Sequence, residues 1–211
     1  MAYFPFFVDL KGRNGLIAGG GTVALRKAEK LLEFGAQITA VAPKINSGFL
    51  KYPGISIIKR EFSPDDLENT SFVIAATDNR ELNRSIYELC RNRGIPVNTV
   101  DDKELCTFIF PSLVKRGELT IGISTGGASP TAAVFLKEKI NSILPDNFDE
   151  ILVFMSSERE KAKKAVPKEQ RPALMKSLFL EAVEKNRPLC EKETAQIYAL
   201  YAAVSDNGKK L

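Results

Sequence analysis

The sequence predicts an α/β fold with a doubly wound parallel sheet, and two observations carry this prediction. Short apolar runs alternate with segments of helical periodicity along residues 1–112. A glycine cluster, Gly19-Gly20-Gly21, stands directly between one such apolar run and the helical segment that follows it. Strands that alternate with helices in this way favour a parallel sheet with right-handed crossovers.

Five strands and two helices are expected in this part of the chain. The predicted strands occupy residues 16–18, 38–41, 55–58, 72–76 and 96–100. Residues 72–76 are apolar throughout, as in parallel strands that are covered on both faces. The first helix ends near Gly35 and the second near Gly94, because apolar residues recur at helical spacing up to these two glycines.

The pattern changes after Pro111. Residues 119–124 predict a strand, residues 125–130 a glycine-rich turn, and the segment after them a helix; beyond Pro145 the charged sequence has the periodicity of about three helices. We therefore expect a Rossmann-type domain, a small α+β segment and a helical C-terminal domain, over residues 1–112, 113–145 and 146–211 respectively.

Composition excludes several classes of function. A net charge of +4 without a clustered basic face argues against nucleic-acid binding. No segment has the roughly 18 consecutive apolar residues of a membrane span, so we expect a cytoplasmic protein that binds no membrane. The chain has 0 histidines and 3 cysteines without CxxC spacing, which excludes imidazole chemistry and predicts reduced thiols and no metal site.

The glycine cluster is the first candidate site, and it has the pattern G-x-G-x-x-A between a strand and a helix. Gly19 permits a tight turn, Gly21 lets the backbone approach a pyrophosphate, and Ala24 permits close packing of the helix. The amino end of that helix then binds the phosphates. This pattern predicts a dinucleotide site at Gly19, Gly20 and Gly21.

One part of the dinucleotide fingerprint is missing after the second strand. An Asp or Glu usually holds the ribose hydroxyls there, yet residues 36–60 contain no acidic residue and Pro43-Lys44 occupies the place. Main-chain groups are one replacement for the acid, and a 2′-phosphate that pairs with Lys44 is another. The residues alone thus leave NAD and NADP open.

Polar residues follow the fourth and fifth strands, at the edge where parallel sheets bind ligands. Thr77 and Asp78 are candidates to line the cofactor pocket, and Asp78 is also a candidate to cap the next helix. Of the adjacent acids Asp101 and Asp102, we expect one to face the crevice while the other caps or is solvated. Asp101 is the candidate general base, and a solvated loop acid is the alternative.

The turn at Ser124-Thr125-Gly126-Gly127 is the last candidate. Its hydroxyls and backbone N–H groups, which lead into a helix, suit an anion such as a substrate carboxylate. The alternative is a strand-to-helix connection that needs glycine only for its backbone geometry. The sequence favours neither.

Taken together, these motifs resemble the precorrin-2 dehydrogenase / sirohydrochlorin ferrochelatase family, which includes the N-terminal module of siroheme synthase. The matching stretches are Gly19–Ala24 with Arg26-Lys27-Ala28, Ile74–Asp78, Val97–Asp101, Phe108–Ser112 and Ile123–Pro130. The resemblance covers residues 4 to 145. Beyond them, the tail resembles the family only in its length and its helical character.

The resemblance implies that precorrin-2, a tetrapyrrole with many carboxylates, is oxidised to sirohydrochlorin while NAD accepts a hydride, and that some members insert ferrous iron. It implies a homodimer with residues 113–145 at the interface. The family's essential aspartate falls on Asp101, and its cofactor contacts fall on Thr22, Val23, Pro43 and Lys44. Thr125 stands where some siroheme synthases carry a phosphorylated serine.

Two other functions remain open at this stage. A non-catalytic Rossmann sensor that binds NAD explains the glycine cluster but gives Asp101 no role. A dehydrogenase that uses NADP on another small anion explains the missing acid and Lys44.

Overall fold

The computed structural model describes residues 3–202. Its main sheet has five parallel strands in the spatial order β3-β2-β1-β4-β5. The strands are β1 (Asn14–Ala18), β2 (Gln37–Val41), β3 (Ile55–Ile58), β4 (Phe72–Ala75) and β5 (Val97–Thr99). Helix α1 (Thr22–Leu32) joins β1 to β2, and α2 (Arg80–Asn92) joins β4 to β5. All five predicted strands and both predicted helices are confirmed.

The strands are apolar along their whole length because both faces of the sheet are covered. Ile17 and Ile74 belong to one buried cluster, together with Ala24 of α1. Leu16 and Val73, their neighbours in sequence, belong to a second cluster on the opposite face. Each fully buried side chain of this kind contributes roughly 2 kcal/mol of hydrophobic stabilisation, so the two clusters fix the sheet.

The strand register places all carboxyl ends at one edge of the sheet. Ala18 pairs with Val41 on one side and with Ala75 on the other, and Ala75 pairs with Thr99. The segments that follow β1, β2, β4 and β5 therefore leave the sheet at the same edge, which is where open parallel sheets bind ligands.

The described chain divides into two compact units, of which Pro5–Phe110 holds the parallel sheet. The other comprises residues 3–4 and 111–202, with an antiparallel pair of strands and four helices. These elements are β6 (Ser112–Arg116), β7 (Leu119–Ile123), α3 (Pro130–Ile143), α4 (Phe148–Ala165), α5 (Arg171–Glu184) and α6 (Glu191–Ala202). The three helices α4 to α6 agree with the prediction, and residues 203–211 lie outside the described part.

Strand β6 was not expected from the sequence. It pairs with β7 through a hairpin in which Arg116 lies opposite Leu119, so the loop is Gly117-Glu118. Gly117 has φ +53°, a conformation common in two-residue hairpin loops. The sequence signal for this hairpin is a glycine between two short runs of β-prone residues. The separation of residues 113–145 from the helical domain stays a prediction.

No helix among residues 3–202 is both long enough and apolar enough to cross a bilayer.

Candidate functional site

The turn after β1 requires glycine because two other loops approach its backbone. Gly19 has φ +129°, and a Cβ there would overlap the carbonyl group of Ala76, directly after β4. A Cβ on Gly20 would overlap the carbonyl oxygen of Lys44, after β2. Side chains at these two positions are therefore excluded by neighbouring backbone. The turn is locked between the ends of β2 and β4.

Gly21 differs from its two neighbours because the space around it is open. It is the N-cap residue of α1 and has φ −81°, and a Cβ added there would meet no atom within 4 Å. The first turn of α1 contains no acidic residue, and the N-cap makes no side-chain hydrogen bond. The N–H groups of this turn thus keep their capacity to bind an anion, and the helix dipole favours one. Thr22 and Val23 are both exposed at this helix end.

Pro43 and Lys44 lie beside the glycine turn, as the dinucleotide prediction requires. Both residues are exposed directly after β2. The backbone N–H of Asn46 donates to the carbonyl oxygen of Gly20 at 2.8 Å, and this bond fixes the β2 loop against the turn.

Thr77 is engaged in local hydrogen bonds, whereas Asp78 is exposed. The Thr77 hydroxyl donates to Asn83 Oδ1 at 2.7 Å, and Asn83 Nδ2 donates to the Thr77 carbonyl at 3.0 Å. The prediction that Asp78 also caps the next helix is wrong. Asn79 caps α2 instead, and its side chain accepts from the backbone N–H groups of Glu81 and Leu82 at 2.9 and 3.1 Å. Asp78 is therefore exposed at the carboxyl edge of the sheet and does not cap α2.

The two adjacent acids after β5 differ in their contacts, and the expectation that one of them is a cap is confirmed. Asp102 Oδ1 accepts from the backbone N–H groups of Glu104 and Leu105, and so caps the 3₁₀ helix Lys103–Leu105. Asp101 is exposed and has φ +61°, a left-handed conformation that is uncommon outside glycine, asparagine and aspartate. Asp102 is therefore engaged in the cap, whereas Asp101 is exposed.

The thiol of Cys106 organises the same turn. Its Sγ accepts from the Thr99 backbone N–H at 3.2 Å and from Asn98 Nδ2 at 3.4 Å. The carbonyl oxygens of Thr99 and Asp102 both lie 3.2 Å from the sulfur and are the alternative acceptors of its proton. Burial raises the pKa of the Cys106 thiol, so the sulfur stays protonated and can serve as this donor.

Lys27 reaches this cluster from α1, and the prediction of site residues did not include it. Its Nζ donates to Asn98 Oδ1 at 3.0 Å and lies 3.9 Å from the centre of the Phe110 ring. Burial lowers the pKa of the Lys27 ammonium, and the neighbouring Cys106 and, to a smaller extent, Asp101 oppose that shift. A signal was present in the sequence, because Lys27 falls on the helix face of Ala24, Ala28 and Leu31, three residues that are buried.

The turn at Ser124–Gly127 uses its own polar groups. Ser124 Oγ accepts from the backbone N–H of Gly126 at 3.1 Å. Thr125 Oγ1 accepts from the backbone N–H of Ser129 and donates to the Ser129 carbonyl, both at 3.1 Å. Gly126 and Gly127 have φ +63° and +84°. These contacts favour the connection that needs glycine for geometry, and substrate binding at the four residues stays a prediction.

Two chemical environments thus share one edge of the sheet. An uncapped helix end stands at β1, while a carboxylate and an ammonium group stand at β5, two strands away, or about 10 Å at the usual strand spacing. The first suits phosphate groups, and the second suits proton transfer beside a bound anion.

Two family models match the chain. The family described as "Putative NAD(P)-binding" matches residues 6–112. A second family, described as "Sirohaem biosynthesis protein central", matches residues 116–143.

Individual relatives agree with these matches. The chain is 40% identical over 163 residues to a siroheme synthase of Nitrosomonas eutropha, an alignment that covers 75% of this chain and 34% of that protein. It is 39% identical over 167 residues to siroheme synthase 2 of Aeromonas salmonicida, covering 79% and 35%. The chain therefore spans about a third of the length of these relatives.

A solved structure has the same architecture over most of the chain. It is SirC, a precorrin-2 dehydrogenase, with a TM-score of 0.69 and 26% sequence identity, covering 87% of this chain and 100% of that one.

Proposed function

We propose that this chain, a member of the family described as "Putative NAD(P)-binding", is a precorrin-2 dehydrogenase that oxidises precorrin-2 to sirohydrochlorin. Its siroheme synthase relatives, its match to the sirohaem central family and its likeness to SirC support this proposal. The coenzyme is a nicotinamide dinucleotide, and we propose NAD. The relatives contribute the substrate to this proposal, and the geometry at the carboxyl edge of the sheet supports the chemistry.

The observation that carries the proposal is the exposed Asp101 carboxylate at the same sheet edge as the uncapped amino end of α1. The open space at Gly21 and the unsatisfied N–H groups of α1 fit a pyrophosphate. When bound, the nicotinamide ring supplies a hydride acceptor. Asp101 lies after β5, two strands from that helix end, and in this proposal it receives the proton that the substrate loses.

Asp101 acts as the general base in this mechanism. A nicotinamide coenzyme held at the amino end of α1 would supply the acceptor for the hydride that the substrate gives up. Asp101 would accept the proton lost with it, and the two losses together leave a new carbon–carbon or carbon–nitrogen double bond in the macrocycle. Cys106 and Asp102 hold the turn that presents Asp101. A fixed base of this kind typically contributes about 10²- to 10⁴-fold in rate.

The deciding experiment follows the formation of NADH and sirohydrochlorin together, with the wild type and Asp101→Asn. Asparagine adopts the left-handed conformation readily, so the turn keeps its shape, and we expect kcat to fall at least about 100-fold with unchanged NAD affinity. Glu68→Gln, at an exposed acid that precedes β4, is the matched control and should keep full activity.

Each result has a clear meaning. A wild-type rate for Asp101→Asn would remove Asp101 from the mechanism. If the wild-type protein binds NAD but produces neither product, the dehydrogenase proposal is wrong and the sensor function replaces it.

An NADP-dependent enzyme is the second candidate, because Lys44 is exposed after β2 and residues 36–60 lack an acid. Titration of the protein with NAD and NADP under the same conditions separates the two. We expect tighter binding of NAD. Tighter binding of NADP would identify Lys44 as the partner of a 2′-phosphate.

Three further properties belong to the same proposal. We propose ferrous iron as a second substrate. The test compares the rate of iron insertion into sirohydrochlorin with and without the enzyme, and we expect a faster rate with it.

Residues 113–145 form a homodimer interface in this proposal, since α3 exposes Val134, Phe135 and Leu136. Sedimentation should then give twice the chain mass.

We also propose a cytoplasmic location, because the free cysteines agree with a reducing compartment.

A further inference from the structure

Lys27 occupies a position that a helix usually reserves for an apolar residue. Ala24, Ala28 and Leu31 on the same face of α1 are all buried, and Lys27 is half-buried among them. Helical side chains lean toward the amino end of their helix, which here is the carboxyl edge of the sheet. The ammonium group therefore reaches the ligand edge although its Cα lies deeper in the fold.

The acceptor of this ammonium group is held in one orientation. Asn98 is buried, and its Nδ2 donates to the carbonyl oxygen of Phe108 at 3.0 Å. A flipped amide would place Oδ1 against that carbonyl, so Oδ1 must face Lys27. Asn98 thus positions the ammonium group.

Within the described residues, the surroundings of the Lys27 ammonium group do not use all of its N–H donors. An ammonium group has three N–H donors, and among residues 3–202 Lys27 makes one hydrogen bond, to Asn98, and no salt bridge. The Phe110 ring covers one side. Half-burying a cation against a neutral amide is unfavourable for folding alone. A ligand with negative charge would use the remaining donors.

The position of the Lys27 ammonium group indicates whether it meets the cofactor or the substrate. The pyrophosphate of the cofactor belongs at α1 and β1, whereas Asn98 lies on β5, two strands or about 10 Å away. Asn98 belongs to β5, and Asp101 follows it by three residues, just after the end of that strand. The anion that Lys27 meets is therefore on the molecule that reacts at Asp101.

We propose that Lys27 binds a carboxylate of the substrate and thereby selects a tetrapyrrole with acidic side chains. This inference rests on the proposed function, which supplies the substrate. The Lys27 ammonium pairs with one acetate or propionate group, Asn98 fixes the direction of that ion pair, and the macrocycle is held with its reacting carbon beside Asp101. Lys27 is a specificity residue in this arrangement, and Asp101 remains the base.

Lys27→Gln tests the assignment without removing the partner of Asn98, because the glutamine amide can still donate a hydrogen bond. We expect KM for precorrin-2 to rise at least about tenfold, the effect of losing one charged hydrogen bond, while NAD affinity stays unchanged. Lys27→Arg keeps the charge and should recover most of the lost affinity. Lys30→Gln is the matched control, since Lys30 is exposed on the same helix and pairs with Glu33.

Binding of sirohydrochlorin, followed by its visible absorbance, gives a readout that needs no turnover. We expect Kd to weaken at least about tenfold for Lys27→Gln and to depend less on salt than in the wild type. An unchanged Kd and KM, or a parallel loss of NAD affinity, would overturn the assignment of Lys27.

The two proposals fail in different ways. A wild type that binds sirohydrochlorin through Lys27 but does not oxidise precorrin-2 would overturn the dehydrogenase proposal and keep this inference. A wild type that turns over precorrin-2 with Lys27→Gln unaffected would overturn this inference and keep the dehydrogenase. A wild type that binds no sirohydrochlorin would overturn the assignment of Lys27.

Discussion

The two glycine-rich turns of this chain look alike in sequence and differ in what makes them glycine-rich. At Gly19–Gly20, added side chains would overlap backbone carbonyl groups of the β4 and β2 loops. At Gly126, an added Cβ would meet no atom within 4 Å, and only the φ of +63° favours glycine. The first turn is fixed by tertiary packing, and the second by its local backbone.

The polar groups of the two turns differ in the same way. The first turn leads into α1, whose first turn has no capping side chain and no acid. The second turn leads into α3, whose cap Ser129 accepts from Ala132 at 3.1 Å, and its hydroxyls at Ser124 and Thr125 are engaged as well. Because the rest of the fold holds the first turn in place, the N–H groups of that turn are available to a ligand. The second turn is held by hydrogen bonds within itself, and these bonds use its N–H groups.

Gly20→Ala should have the largest effect of the changes that separate the two turns. Its Cβ would overlap the Lys44 carbonyl and crowd Ile45 Cδ1 at 2.9 Å, so the β2 loop must move. We expect about 3 kcal/mol of lost unfolding free energy, together with the loss of measurable NAD binding. Urea denaturation and an NAD titration measure the two effects. A variant with wild-type stability would show that the turn is not locked by packing.

Gly21→Ala should affect the ligand and spare the fold. The φ of −81° and the open space accept alanine, so the unfolding free energy should stay within about 0.5 kcal/mol of wild type. The same methyl group enters the space assigned to the pyrophosphate, and NAD affinity should fall at least about tenfold. The comparison with Gly20→Ala is the control. Unchanged affinity would remove the cofactor from this helix end.

The sequence was sufficient for the sheet and for the position of the glycine turn. Continuous apolar runs such as residues 72–76 leave few alternatives to a buried parallel strand. The strand ends also predict candidate ligand residues, and the expectation that one of the two acids after β5 is a cap is confirmed at Asp102. The residues alone left a solvated loop acid as the alternative for Asp101, and the resemblance to the family is what singles it out as the base. Thr77 and Lys44 are candidates because they follow β4 and β2 at the same edge, and their contact with a cofactor stays a prediction.

Contacts across long stretches of chain were not predictable in this way. Lys27 and Asn98 are 71 residues apart, and neither the helix nor the strand indicates separately that an ammonium group meets an amide. The sequence predicts only a reduced thiol at Cys106, because its contacts with Asn98, Thr99 and Asp102 form only when the loop after β5 folds back. The cap of α2 was misassigned by one residue, since Asp78 and Asn79 both have suitable side chains.

Gly126→Ala should have the smallest effect and it tests the second turn alone. Alanine at φ +63° costs about 1 kcal/mol because left-handed backbone is unfavourable for a residue with a Cβ. Nothing else needs to move, since no atom lies within 4 Å of the added group. We expect a correspondingly small loss of thermal stability, with KM for precorrin-2 unchanged.

Gly126→Asn is the matched control, because asparagine adopts this conformation more readily than alanine. If backbone geometry is the whole reason for glycine here, asparagine restores part of the stability that alanine removes. If the turn binds a substrate carboxylate, both variants raise KM, since either side chain obstructs an anion at the Gly126 backbone. Equal KM values for the wild type and both variants would assign the turn to structure and leave Lys27 as the carboxylate partner on the other unit.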